Sequence, residues 1–203
     1  MRNSAPLEVI GAPFTMYVAP VGTPFPAVDE SPDSTDWTLV GSAGPLNYDE
    51  AGVNVEHPQS MAFWRSLGDA GSRKVFRSSE DLKIGLALVD VTLEQYSFAI
   101  NGNTVTPTAA GPGTPGTKKI GLSRGFVVDT RAVLLRGPSP EMEDGVMQYE
   151  CPRAAQTGEP KPVFTKDKPA MLAIEWTALV DPDASDPSEY FGRIVVQTAI
   201  AET

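Results

Sequence analysis

The chain has 203 residues, a formal net charge of −10, one cysteine and one histidine. That length suffices for one well-filled domain, the acidic balance excludes a basic surface that wraps nucleic acid, and the lone Cys151 excludes an intramolecular disulfide framework. No run approaches the roughly 20 apolar residues a bilayer-spanning helix needs, and residues 1–13 hold no apolar stretch of signal-peptide length, which predicts synthesis and folding in a reducing cytoplasm.

In chain order, short apolar runs predict strands at residues 15–19, 37–41 and 52–57, with the Pro-rich stretch 22–32 read as a surface connection. Residues 57–78 read as a long loop. It carries Phe63 and Trp64, and its charged side chains are Arg65, Asp69, Arg73, Lys74 and Arg77, a sum of +3 that leaves −13 for the remainder. Aromatic residues beside arginine are the usual anchors of protein contacts. A basic island in an acidic chain therefore predicts a contact between copies, this loop against an acidic surface elsewhere.

From residue 81 to 89 the pattern is clearest. Leu82, Ile84, Leu86 and Leu88 alternate with Asp81, Lys83, Gly85 and Ala87, the period of a strand with one buried face. The period then changes: Leu93, Tyr96 and Ile100 fall at helical spacing, Thr92 and Gln95 have capping-box spacing, and Asn101-Gly102 is a C-terminal stop. A helix is expected over 92–101. The Pro- and Gly-rich segment 104–118 reads as a long hairpin loop inside one domain spanning 1–203. Further strands are expected at 125–128, 132–135, 146–151, 172–177 and 193–199, with Leu172, Ile174 and Trp176 on one face and Ala173, Glu175 and Thr177 on the other. Cys151 alternates with Met147 and Tyr149, so it reads as a small buried hydrophobe.

Chemistry is sparse. His57 precedes a proline at a strand end, no Gly-x-Ser-x-Gly elbow is present, and cysteine and histidine are too few for a zinc site. No phosphate-binding loop occurs, and no carboxylate pair is marked out for glycoside hydrolysis. The chain is read as a non-enzyme with no cofactor. Asp181, Asp183, Asp186 and Glu189 are hard oxygen ligands within one loop, the type calcium accepts, although their spacing is not that of an EF-hand and Pro182 and Pro187 interrupt them. An exposed acidic turn is the default for that loop.

Several segments in series carry a resemblance: MYVAPVGTPFPAV (16–28), WTLVGSAG (37–44), GVNVEH (52–57), SSEDLKIGLALVDVTLEQYSFAINGN (78–103), QYECPRAAQTGEPKPVFTKDKPAMLAIEWTALVDPD (148–183) and FGRIVV (191–196). In this order they resemble the tail tube (major tail) proteins of long-tailed bacteriophages. The resemblance implies a mainly β chain, a tail-tube-type β-sandwich or barrel with one flanking α-helix and a long stacking loop. It implies hexameric rings stacked into a tube through which DNA passes without specific binding, with tail tip, tape measure and tail terminator proteins as further partners and no membrane. Location would be the virion tail, after assembly in the host cytoplasm. The inter-ring contact loop would then hold Phe63, Trp64, Arg65, Arg73, Lys74 and Arg77, and Asp81 and Glu175 would be candidate acids of the lumen. Tube subunits of contractile secretion machinery share the fold and are a close rival. The reading from a different class is a monomeric calcium-dependent β-sandwich binding module using the Asp181, Asp183, Asp186 and Glu189 loop and exposed aromatics such as Trp64.

Overall fold

The computed structural model describes residues 8–200; residues 1–7, part of the segment read for signal-peptide character, and 201–203 lie outside the described residues. Strands dominate: β1 (Thr15–Pro20), β2 (Thr38–Leu39), β3 (Tyr48–Glu56), β4 (Gln59–Trp64), β5 (Lys74–Glu80), β6 (Lys83–Leu88), then the helix α1 (Leu93–Ala99), then β7 (Thr106–Thr108), β8 (Thr117–Lys119), β9 (Thr130–Pro138), β10 (Val146–Gln156), β11 (Leu172–Ala178) and β12 (Arg193–Val196). The chain is mainly β, with antiparallel sheets and one flanking helix, as the sequence predicts.

The main sheet runs β2-β1-β9-β10-β11-β6-β3, with β12 also on β10. Its spine is β10. The first half of that strand pairs with β12, Met147 opposite Val196 through Glu150 opposite Arg193. The second half pairs with β11, Ala154 opposite Ala178 through Gln156 opposite Trp176. Between the halves the register against β9 shifts at Cys151/Ala154. Pro152 falls in that bulge, where the missing N–H removes no ladder bond. The divided strand lets the sheet fold over one core, in which Met16, Val18, Val133, Leu135 and Cys151 pack with Ile84, Leu86, Leu88, Leu172, Ile174 and Trp176. Each large apolar side chain enclosed there contributes about 1.5–3 kcal/mol.

Strand β9 is buried on both faces. Val133 and Leu135 enter the main core, while Ala132 and Leu134 meet Ala19 and Trp37 on the opposite side. The cover on that second side is the Pro-rich stretch, so the surface connection expected at 22–32 also acts as a strap. Trp37 stacks against Phe25 at 5.2 Å and donates from Nε1 to the Pro24 carbonyl at 3.2 Å. From the sheet beneath, Arg136 Nη2 donates to Val28 O at 2.6 Å and Gln148 Nε2 to Pro26 O at 2.8 Å. Prolines suit such a strap, because a segment without ladder bonds loses nothing by lacking donors.

The helix sits where predicted but is held differently. Gln95 does not close a capping box: it is buried, and its Oε1 accepts the Gly41 N–H at 2.8 Å. Thr92 makes no side-chain cap bond; its own N–H is accepted by Asp90 Oδ1 at 3.1 Å. The other Asp90 oxygen accepts from the Ser42 N–H at 3.0 Å and from the Ser42 hydroxyl. At the far end the stop works as read: Asn101 and Gly102 adopt left-handed backbone (φ 76° and 69°), and Gly102 N–H reaches the Ser97 carbonyl at 2.8 Å.

Three expectations differ from the structure in their local form. Residues 57–78 are mostly a β-hairpin, β4 against β5, rather than a loop. Segment 104–118 closes on itself as a small hairpin, with Thr106 opposite Lys119. Residues 125–128 form no strand. Their segment is clamped from the side, for Asn101 Nδ2 donates to the carbonyls of Arg124 and Val127 (2.6 and 2.8 Å), and Asn101 Oδ1 accepts from Asp129 N–H at 2.6 Å. An amide side chain here takes the place of a neighbouring strand. The predicted strands at 37–41 and 193–199 are real but shorter.

Candidate assembly interface

The hairpin β4–β5 carries all six residues singled out in the basic segment. The cross-strand pairs are Met61–Arg77, Ala62–Phe76, Phe63–Val75 and Trp64–Lys74. Because side chains alternate between faces, Met61, Phe63, Val75 and Arg77 share one face and Ala62, Trp64, Phe76 and Lys74 the other. Both faces are apolar, and both are open to solvent. Phe63 is 63% exposed and Trp64 53%, and every residue of both strands is exposed. Leu67 at the tip is fully exposed.

The cations of the hairpin are partly balanced within it. Arg77 Nη1 pairs with Glu80 at 2.5 Å and Arg73 Nε with Asp69 at 3.7 Å. Arg65 Nε donates to Ser72 Oγ at 3.1 Å, and the Lys74 ammonium lies 5.0 Å above the Phe76 ring. These contacts are solvent-exposed and contribute little to stability; they hold the cations out along the ribbon. At the foot, Asp81 N–H bonds the Pro58 carbonyl at 2.9 Å. A cleft of about 400 Å³ there is lined by His57, Gln59, Arg77 and Glu80 on the hairpin side and by Ser188 and Phe191 opposite.

The two candidate lumen acids lie in different settings. Glu175 projects from β11 beside Lys83 of β6, 3.2 Å from its ammonium, so its charge is locally offset. Asp81 is exposed and precedes β6, which begins at Lys83, so it belongs to the hairpin foot rather than to the alternating strand.

The acidic loop does not gather a cation site. Asp186 Oδ1 accepts from Ser188 N–H and hydroxyl (2.8 and 2.7 Å), which holds its carboxyl below the usual carboxylate range. Asp181 Oδ1 accepts from Asp183 N–H at 3.2 Å, and Glu189 lies 3.5 Å from Arg193. Among the described residues no three His, Cys, Asp or Glu side chains converge as a metal-holding group, and no helix is long and apolar enough to cross a membrane.

The exposure of two apolar segments was not anticipated from the sequence, which reads 125–128 as a strand. Leu122, Phe126, Val127 and Val128 crown the segment clamped by Asn101, and Val163 and Phe164 sit in the connection before β11. Their signal in the sequence is an apolar run without strand alternation, flanked by Gly or Pro.

The thiol of Cys151 is buried in the core, where loss of solvation pushes it up to about 12. Tyr48, also raised to about 12 by burial, accepts from Met16 N–H at 3.0 Å and donates to Val40 O at 2.9 Å. Both are structural. No family model matches the chain, nor does any curated protein.

Proposed function

We propose that the chain is the structural subunit of a bacteriophage tail tube, self-assembling into stacked hexameric rings that form a conduit for DNA. One observation carries the reading: a hairpin that is apolar on both faces and covered on neither. An isolated two-stranded ribbon is marginal in water, and contiguous exposed apolar surface marks a contact site. Phe63, Trp64 and Arg65 are the residue types that anchor protein contacts. In this reading they join Arg73, Lys74 and Arg77 in docking one ring on the next.

Charge and sheet edges support the same reading. DNA is a polyanion, and a lumen of net negative charge repels it and lets it slide. Asp81 is the stronger of the two lumen candidates, since Glu175 is offset by Lys83. Short outer strands such as β2 and β12 leave sheet edges that a neighbouring copy can extend. Stacking is a head-to-tail, heterologous arrangement, so it extends as a filament. Tail tip, tape measure and tail terminator proteins would meet its ends and interior, with assembly in the host cytoplasm and the product in the virion.

Negative-stain electron microscopy of the purified protein at low and high concentration tests this. Rings with a central hole, or stacked tubes, are the expected result. Monomers at every concentration, with a melting temperature that rises on adding calcium, would replace the reading with that of a calcium-dependent binding module.

A further inference from the structure

We infer that the loop 121–129 of one copy inserts its apolar side chains into a groove beside the turn 139–145 of another copy. The contact uses no residue of the hairpin β4–β5. It goes beyond the tube reading, because it pairs two further surfaces of the molecule and holds for any assembly of this chain.

The loop is stiff before anything touches it. Asn103 Nδ2 donates to the carbonyls of Gly121 and Ser123 (2.6 and 2.8 Å). Asn101 holds the carbonyls of Arg124 and Val127 and the N–H of Asp129, and Arg124 Nη2 donates to Gly158 O at 3.1 Å. All these bonds are made by polar groups. The apolar side chains stand outside them: Phe126 is fully exposed, and Leu122, Val127 and Val128 are at least 58% exposed. Contiguous exposed apolar surface marks a contact site, and a loop already fixed loses little freedom on binding.

The receiving groove, about 430 Å³, lies where β9 ends and β10 begins. Pro13, Pro45, Pro138, Met142 and Val146 give it an apolar wall, and Arg136 at its side is bonded to Val28 O of the strap. The turn above it is also fixed. Ser139 Oγ accepts from Glu141 N–H at 3.1 Å and donates to Gln197 O at 2.8 Å, and Gly145 N–H bonds Met142 O at 3.1 Å. Methionine adapts its shape to an aromatic neighbour.

Charge matches the two surfaces. The turn 139–145 carries Glu141, Glu143 and Asp144 and no cation, whereas residues 117–131 carry Lys118, Lys119, Arg124 and Arg131 against Asp129, a net of +3. Other cavities fit the loop less well. The cleft at the hairpin foot has Arg77 on its wall, and the cavity of about 260 Å³ beside residues 181–193 is lined mainly by polar and charged groups. In the apolar cavity of about 270 Å³ beside Tyr149 and Ile194, the acid Glu150 is already held by Arg193.

Loop and groove sit at opposite ends of β9. The loop ends at Asp129, immediately before Thr130, and Pro138 closes the strand at the groove. A strand of nine residues holds the two about 25 Å apart. A chain therefore cannot fill its own groove, and it can give at one end while it receives at the other. Such a contact is heterologous and repeats in one direction.

Cysteine cross-linking between copies tests the inference. Phe126→Cys and Met142→Cys are made in separate chains, with Leu122→Cys and Glu143→Cys as substitutes should either misfold by melting temperature. Mild oxidation should join the two in a mixture but neither alone, because a disulfide needs Cα atoms within about 7 Å; Cys151 is buried and stays out. The yield should exceed at least tenfold that of Leu67→Cys mixed with Met142→Cys, which reports the exposed hairpin tip at the same groove. Both cysteines in one chain should give a ladder of oligomers. Phe126→Ser should raise the concentration needed for assembly about tenfold. Tubes that form while the mixed pair cross-links no better than the Leu67 control would overturn the inference and leave the tube reading standing. A ladder from protein that builds neither rings nor tubes would keep the inference and overturn the tube reading. Monomers that never cross-link would remove both.

Discussion

Strand β9 and the hairpin β4–β5 are both apolar on two faces, and they meet opposite fates. In β9 the chain supplies both covers, the core on one side and the Trp37 strap on the other. In the hairpin it supplies neither. A run of apolar residues without one-sided alternation thus says that both faces want cover, without saying which molecule provides it. Where the cover is internal the result is stability; where it is missing the result is an exposed apolar surface.

The largest effect should come from removing the internal cover. Trp37→Ala uncovers Leu134 and should cost about 3–5 kcal/mol, read as a lowered midpoint in urea unfolding; a loss as small as that of a surface substitution would mean the strap is not part of the core. Next comes Tyr48→Phe, which strips two hydrogen bonds from a buried site and should cost about 1–3 kcal/mol, checked in the same titration.

Asp90 gives a pH signature. Burial is the largest single influence and raises its carboxyl, but the hydrogen bonds from the Ser42 side chain, Ser42 N–H and Thr92 together hold it below the ordinary value of 3.8. A group lowered in the folded state contributes stability that is present in full above its unfolded value and is lost as pH falls through the folded one. Stability should therefore fall on acidification below about pH 4, and Asp90→Asn should flatten that fall; an unchanged acid slope would remove Asp90 as a contributor.

On the other side of the comparison, Trp64→Ser should shift monomer stability by only about 0.5 kcal/mol while reducing assembly. A large loss of folded protein would show that the hairpin leans on its own body after all. The smallest effect expected is none: Cys151, its thiol raised to about 12 in the core, should resist alkylation until the protein unfolds.

How much of this was legible in the sequence follows the same line. Where one face is buried and the other wet, as in β6 and β11, alternation gave the strand and its core side: Ile84, Leu86 and Leu88 pack against Leu172, Ile174 and Trp176. The Asn101-Gly102 stop was readable because left-handed backbone has a residue preference. The cap was not, since Gln95 is diverted to Gly41, which no local pattern reveals. The hairpin strands were hidden because both faces of the ribbon carry apolar side chains, which leaves no apolar–polar alternation to read. Residues 125–128 misled for the converse reason: β-prone side chains stand in a segment whose carbonyls are taken by Asn101. The basic island itself was readable from charge alone.

The same hairpin has a consequence for the birth of the molecule. Its pairings are local and of the kind that close in roughly 1–10 μs. The main sheet must wait, because β1 cannot pair with β9 until the chain has been made beyond Arg136, to which Thr15 pairs. A nascent chain thus exposes its most adhesive ribbon before it owns a core, and neighbouring chains on one message do so together. Crowded synthesis should favour tangled intermediates, and slower expression should raise the yield of intact folded chains.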